Sequence, residues 1–202
     1  MFACPPSIIR KLYRNVIWRM PTYEKKVYLT FDDGPIPDVT EWVLDFLKSQ
    51  NIKATFFCVG DNIIKHPEIY NRILSEGHIA GNHTFNHLKG FYTSNETYFE
   101  NVNKCNEVIN GSQLFRPPYG QLKFSQLRKL SKKYKIIFWD VLSYDYSNLV
   151  SPEKCLKNVV QYSRPGSIIV FHDSIKAKNN LMYALPRAVE QLKENNYRFE
   201  LL

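Results

Sequence analysis

The chain has 202 residues, 44% of them hydrophobic and 23% charged, with a formal net charge of +8. That is the composition of one folded domain and excludes a disordered or low-complexity chain. No apolar run approaches the roughly 18–20 residues of a membrane span.

The N-terminus reads MFACPPSIIRKLYRNVIWRMP. Two prolines, then Arg10 and Lys11, interrupt it before an apolar h-region of about 7–15 residues can form. No cleavable leader is visible there, so a cytoplasmic location is expected. Residues 1–25 read as a lead-in and residues 26–202 as the domain proper. Cys4, Cys58, Cys105 and Cys155 form no CxxC pair. They are expected to be small apolar side chains, with no disulfide framework and no zinc-cysteine site. Basic residues crowd segments 10–26 and 123–135. Without a nucleic-acid motif beside them, these read as solvated faces, and no nucleic-acid partner is expected. They would still attract an anionic polymer or a membrane surface at the periphery.

Apolar runs then alternate with helical periods. KVYLTF (26–31) reads as a strand. Val39, Trp42, Val43 and Phe46 pace a helix with one buried face. KATFFCVG (53–60) is the next strand, and a helix begins near Pro67, where proline is tolerated in the first turn. HIAGNH (78–83) is a short strand, followed by a helix marked by Tyr98, Val102, Cys105 and Ile109. LFRPPYG (114–120) runs from strand into loop, because proline resists both ladder and helix interior. Phe124 and Leu127 pace a basic helix, and IIFWDVL (136–142) reads as one buried strand. Leu156, Val159 and Val160 mark a helix, SIIVFHD (167–173) a strand, and Met182, Leu185, Val189 and Leu192 the last helix. YRFELL closes with a strand. About seven β-α units predict a parallel sheet covered by helices, either closed into a barrel or left open and doubly wound. Both architectures place their sites at the C-terminal strand ends.

Those ends carry Asp32-Asp33-Gly34, His83 with His87, Arg116-Pro117-Pro118-Tyr119, Asp140 and Asp145, and His172-Asp173. Ionisable groups at successive ends of one parallel sheet converge in space. His83 and His87 lie four apart, so a helical turn would aim both imidazoles at one ion. A carboxylate such as Asp33 would complete a His2Asp set with open positions. That donor set suits zinc, and also cobalt, nickel, manganese or iron.

TFDDGP (30–35), HTFNH (83–87), RPPYG (116–120), WDVLSYDY (139–146) and VFHD (170–173) resemble, in order and spacing, the five motifs of the polysaccharide deacetylase family. This is the NodB-homology group, carbohydrate esterase family 4. The resemblance spans residues 26–202. It implies a distorted (β/α)7 barrel and metal-dependent removal of N-acetyl groups from the amino sugars of a peptidoglycan- or chitin-type saccharide. Transferred motif by motif, Asp32 resembles the general base and His172 the general acid. Asp33, His83 and His87 resemble the ligands of one divalent ion. Arg116 resembles the brace of the base, Tyr119 the residue whose backbone N–H faces the oxyanion, and Asp145 the carboxylate that orients the acid. The family often has Trp after the fourth-motif Asp and Leu two before the fifth-motif His. Tyr146 and Val170 stand there instead and would wall the acetyl pocket. The same machinery would serve O-acetyl ester hydrolysis on xylan-like glycans or the hydrolysis of a small amide. A non-catalytic carbohydrate-binding protein is disfavoured, because no base or ligand position is missing.

Overall fold

The computed structural model describes residues 3–202. Met1 and Phe2, the first residues of the expected lead-in, lie outside that range. Eight strands and eight α-helices alternate along most of it. The strands are β1 (Lys26–Asp32), β2 (Thr55–Cys58), β3 (Ile79–Asn82), β4 (Leu114–Phe115), β5 (Lys135–Ile136), β6 (Val141–Leu142), β7 (Ile168–His172) and β8 (Arg198–Phe199). The helices are α1 (Ser7–Leu12), α2 (Val39–Ser49), α3 (Gly60–Lys65), α4 (Pro67–Ser75), α5 (Asn95–Val108), α6 (Phe124–Leu130), α7 (Pro152–Tyr162) and α8 (Lys178–Glu194). The sheet order is β5-β4-β3-β2-β1-β7-β6, with β8 added beside the start of β1. Every strand pair is parallel. The result is a curled, incompletely closed (β/α)7 barrel.

The alternation of β1 divides the core. Val27, Leu29 and Phe31 join the cluster that includes Val43 and Leu47 of α2 and Leu185 and Val189 of α8. Tyr28 joins Phe57, Leu114, Ile137 and Ile168 in a separate cluster. Successive side chains of a strand face opposite ways, so Thr30 and Asp32 share the face of Tyr28. A polar pair is thus carried into the barrel by a strand that is otherwise apolar from Val27 onward. Phe31 stacks between Phe56 and Phe171, with centroids 5.0 and 6.2 Å away, which locks β1 against both neighbours.

The helices start where local chemistry starts them. Ser94 Oγ accepts the Thr97 N–H at the head of α5, and Ser151 Oγ accepts the Lys154 N–H at the head of α7. Pro67 and Pro152 stand at first-turn positions. The short α3 carries too few apolar repeats to register as a period. It is held instead by Gly60 and Asp61 N–H groups donating to the Thr84 and Phe85 carbonyls.

The single strand expected over 136–142 is not formed. β5 pairs only with β4, and β6 only with β7. Between them the polar groups have other partners. Ile137 and Phe138 carbonyls accept from the Arg116 guanidinium, and the Phe138 N–H donates to Ile17. Asp140 is held by Arg10 and Arg164. A buried apolar run has the same pattern whether its backbone bonds go to one ladder or to several partners. The residues before β1 fill the opening. Ile17 bridges Ile137 in parallel, Arg19 bridges Ser167 in antiparallel sense, and Ala3 and Val16 are buried.

Candidate active site

Strand register brings the chemistry together. Asp32 lies opposite His172 of β7 and opposite Phe57 of β2. Asn82 lies opposite Phe115, so His83 and Arg116 follow as the next residues on adjacent strands. These ends open into a cavity of about 610 Å³ lined by Asp32, Asp33, His83, His87, Tyr119 and His172, among others.

Arg116 is the largest fully buried side chain. Its Nη1 donates to Asp32 Oδ1 and to Thr30 Oγ1, both at 2.7 Å. Its Nη2 and Nε donate to the Phe138 and Ile137 carbonyls, and its guanidinium lies over the Phe57 ring at 4.1 Å. Burial pulls its pKa down and Asp32 opposes that shift. Arginine remains charged regardless. The brace fixes one carboxylate oxygen of Asp32 and leaves the other out of these bonds.

Asp33, His83 and His87 form the one cluster of His, Cys, Asp and Glu among the described residues suited to hold a metal ion, with their ligand atoms within 4.8 Å of one another. His87 Nε2 is 3.1 Å and His83 Nε2 3.8 Å from Asp33 Oδ1. His83 Nδ1 is 2.7 Å from the Arg116 carbonyl. That carbonyl accepts a hydrogen bond from Nδ1–H and leaves Nε2 to ligate, as metal-binding histidines require. Burial, the largest cause, pushes His83 down to about 4 and keeps the imidazole neutral. Burial by itself would raise Asp33. The hydrogen bond to His87 and the charges of His172, His83 and His87 outweigh it, holding the carboxyl well below the usual carboxylate range. Imidazole nitrogens and an ionised carboxylate are the donors a divalent ion takes, so these residues fit one. HTFNH is not a helical turn. Thr84 (φ 63°) and His87 (φ 56°) take left-handed backbone conformations that fold the loop back and bring the imidazoles to 5.1 Å between centroids.

His172 Nδ1 is 2.8 Å from Asp145 Oδ1, and Asp145 Oδ2 accepts the His172 backbone N–H at 2.7 Å. Ser143 Oγ and the Tyr146 N–H also donate to Asp145 Oδ1. Burial would lower the imidazole pKa. Asp145, with smaller help from Asp33 and Asp32, overrides it and raises His172 to about 9. The ring is therefore cationic at neutral pH, with Nδ1 engaged by Asp145. Tyr119 sits in a left-handed conformation (φ 60°). Its neighbours Gly120 and Gln121 donate to the Pro117 and Pro118 carbonyls. Tyr146 and Val170 line the cavity, together with Trp139 and Leu142.

Asp140 is the strand-end carboxylate that does not join the site. Its N–H donates to Ile168, the first residue of β7, and its oxygens take Arg10, Arg164 and Ser167. Thr30 and Asn62 serve the site without a sequence signal strong enough to find them, and Asp173, one of the strand-end carboxylates, acts on the turn beside it. Thr30 shares the Arg116 guanidinium. Asn62 Nδ2 donates to the Asp33 carbonyl. Buried Asp173 accepts the Gly34 N–H and the Thr40 hydroxyl, pinning the turn with its cis Gly34–Pro35 bond. A Cβ on Gly34 would come within 1.9 Å of the Asp173 carboxylate. The glycine is thus required by close approach.

A parallel barrel with a carboxylate–histidine metal cluster, a braced carboxylate and a cationic histidine at one mouth defines a metal-dependent hydrolase. Comparison with known proteins sharpens the class: the polysaccharide deacetylase family model matches residues 19–138, and the chain belongs to that family. Its members depend on a metal ion. The chain is 36% identical over 189 residues to a peptidoglycan-N-acetylglucosamine deacetylase of Bacillus cereus, covering 90% of this chain and 68% of that protein. It is 30% identical over 177 residues to chitin deacetylase 2 of Saccharomyces cerevisiae, covering 81% of this chain and 55% of the yeast protein. A solved peptidoglycan N-acetylglucosamine deacetylase, in complex with 4-naphthalen-1-yl-N-oxidanyl-benzamide, superposes with a TM-score of 0.90 at 34% identity. That match covers 98% of this chain and 95% of the other.

Proposed function

We propose that this protein hydrolyses the acetamide of an N-acetylated amino sugar in a glycan, releasing acetate and a free amine. The supporting observation is the pairing of two oppositely prepared groups across one cavity. Asp32 is braced by Arg116, and His172 is held cationic by Asp145. Separated acid and base roles of this kind are what amide hydrolysis demands.

Asp33, His83 and His87 would hold the ion, and their mixed imidazole and carboxylate set would suit zinc. When bound, a divalent ion supplies Lewis acidity that polarises the acetamide carbonyl and acidifies water. Asp32 removes the proton of the attacking water with the oxygen that Arg116 leaves open. The Tyr119 backbone N–H, turned by its left-handed conformation, donates to the oxygen on which charge develops. His172 Nε2 delivers its proton to the departing nitrogen, while Asp145 keeps the ring oriented. Tyr146, Val170, Leu142 and Trp139 enclose the acetyl methyl group. Loss of either the base or the acid is expected to cost about 10²–10⁴-fold in rate.

The test is acetate release from chitin oligomers, peptidoglycan fragments and O-acetylated xylan after exchange into zinc, cobalt, nickel, manganese or iron. Release from an N-acetylated saccharide, lost in Asp32→Asn, supports the proposal. Release from the xylan ester alone would overturn it in favour of an esterase. Retained binding with no release from any substrate would leave a carbohydrate-binding protein.

A further inference from the structure

Two lysines lie against tyrosines that line the cavity, on loops from opposite parts of the strand order. Lys89 follows the His87 loop after β3, and its Nζ lies 4.9 Å from the centroid of Tyr119. Lys176 follows β7, lines the cavity, and places its Nζ 5.9 Å from the centroid of Tyr146. Both lysines are exposed. Tyr119 and Tyr146 both line the cavity. Among the described residues neither ammonium enters a salt bridge, whereas Asp61, the acidic residue on the rim, is already engaged by Lys65 at 2.5 Å. A ring face orients an ammonium through its quadrupole but supplies no counter-charge. Each lysine is thus steered towards the mouth with its charge unneutralised. The remaining cavity carboxylates, Asp32 and Asp33, face Arg116 and the two histidines.

Resting on the N-deacetylase function proposed above, we propose that Lys89 and Lys176 are specificity residues that select a glycan bearing a carboxylate on the sugar next to the one deacetylated. A neutral homopolymer would leave both charges to solvent. An acidic neighbour would meet one or both at a mouth where the two tyrosines displace part of the water. Two sources offer that chemistry, a lactyl ether on the amino sugar and a uronic acid, and they place the carboxylate at different ring positions. An exposed ion pair of this kind is expected to change kcat/KM by about threefold per lysine, so about tenfold for both. The preference falls as salt shortens the range of the interaction.

The experiment compares acetate release from matched tetrasaccharides by the metal-loaded protein. One is a neutral N-acetylglucosamine oligomer, one alternates with a 3-O-lactyl sugar, one alternates with a uronic acid, and one is the methyl ester of the lactyl compound. The readout is the ratio of kcat/KM for each acidic substrate to that for the neutral one. The expected ratio is about ten for at least one acidic substrate, and which one exceeds unity identifies the source. It falls towards one in the methyl ester, in 0.5 M salt, and in K89M/K176M. A ratio near one in the wild type, with the neutral oligomer still deacetylated, overturns the lysine assignment and leaves the deacetylase function standing. A high ratio that K89M/K176M leaves unchanged also overturns it. Failure to release acetate from any substrate removes the deacetylase function, and the assignment with it. Because the methyl ester tests the charge in the unaltered protein, the outcome does not depend on the variant's folding.

Discussion

Replacing Asp145 by Asn removes one charge from the pair that makes His172 an acid. The imidazole lies at about 9, against an ordinary 6.5, and burial by itself would take it below that ordinary value. Loss of Asp145 should therefore return the alkaline limb of the kcat/KM profile from about pH 9 to about 6.5 or lower. At pH 6 the protonated fractions of the two proteins are similar. At pH 8.5 they differ by about 80-fold, so the defect should grow steeply with pH. The geometry adds a second effect. Asp145 accepts from four donors, two on His172 and one each from Ser143 and Tyr146. An amide must turn its NH2 towards one of them, at a cost of about 1–3 kcal/mol in stability. Proton linkage gives an independent measurement. A raised histidine pKa stabilises the fold fully below pH 6.5, and that stabilisation is lost as pH rises through about 9. Its size is about 3 kcal/mol, which denaturant titrations should find in the wild type and not in Asp145→Asn. An alkaline limb that stays near pH 9 in Asp145→Asn, with metal content unchanged, would refute the assignment of His172 as the acid.

Metal content should fall below stoichiometric in His83→Ala/His87→Ala after desalting, and added zinc should no longer raise Tm, as read by elemental analysis and thermal shift. Gly34→Ala should lower Tm and reduce kcat/KM at least about tenfold, because the new methyl displaces either the Asp173 carboxylate or the turn carrying Asp33. Asp140→Ala should cost about 1–3 kcal/mol in urea unfolding while kcat/KM at 25 °C stays within about threefold, since Arg10, Arg164 and Ser167 lose their shared partner far from the chemistry.

Much of this was legible in the residues because the strands are short and the site residues follow them directly. Asp32, His83, Arg116 and His172 each come at or just after an apolar run, and a parallel sheet converts that local position into convergence. The base's partner could be anticipated only through the resemblance. No spacing rule tells which of the barrel's neighbours a buried guanidinium will meet, and Thr30 reads simply as a β-branched strand residue. Asp140 misled for the complementary reason. Its place in WDVLSYDY looks like a strand end, but the apolar run is divided there, and the carboxylate faces Arg10 and Arg164 at the start of β7. The HTFNH loop shows the same limit. The spacing of four suggested a helical turn, whereas two left-handed residues achieve the juxtaposition, and neither Thr84 nor His87 announces that conformation.

The unclosed seam between β5 and β6 has a consequence for solubility. A complete barrel has no free edge, whereas this sheet ends in two, and each would present unpaired N–H and C=O groups to another chain. The segment before β1 occupies that position: residues 16–20 bond in parallel sense to the β5 side and in antiparallel sense to the residues just before β7, and the Ala3 carbonyl accepts the Leu142 N–H of β6. It acts as a covering strand supplied from outside the (β/α) repeat. Shortening the protein to begin at β1 would keep every residue of the chemistry and expose both edges at once. The expected failure of such a fragment is association through strand pairing, seen as light scattering before any loss of metal affinity.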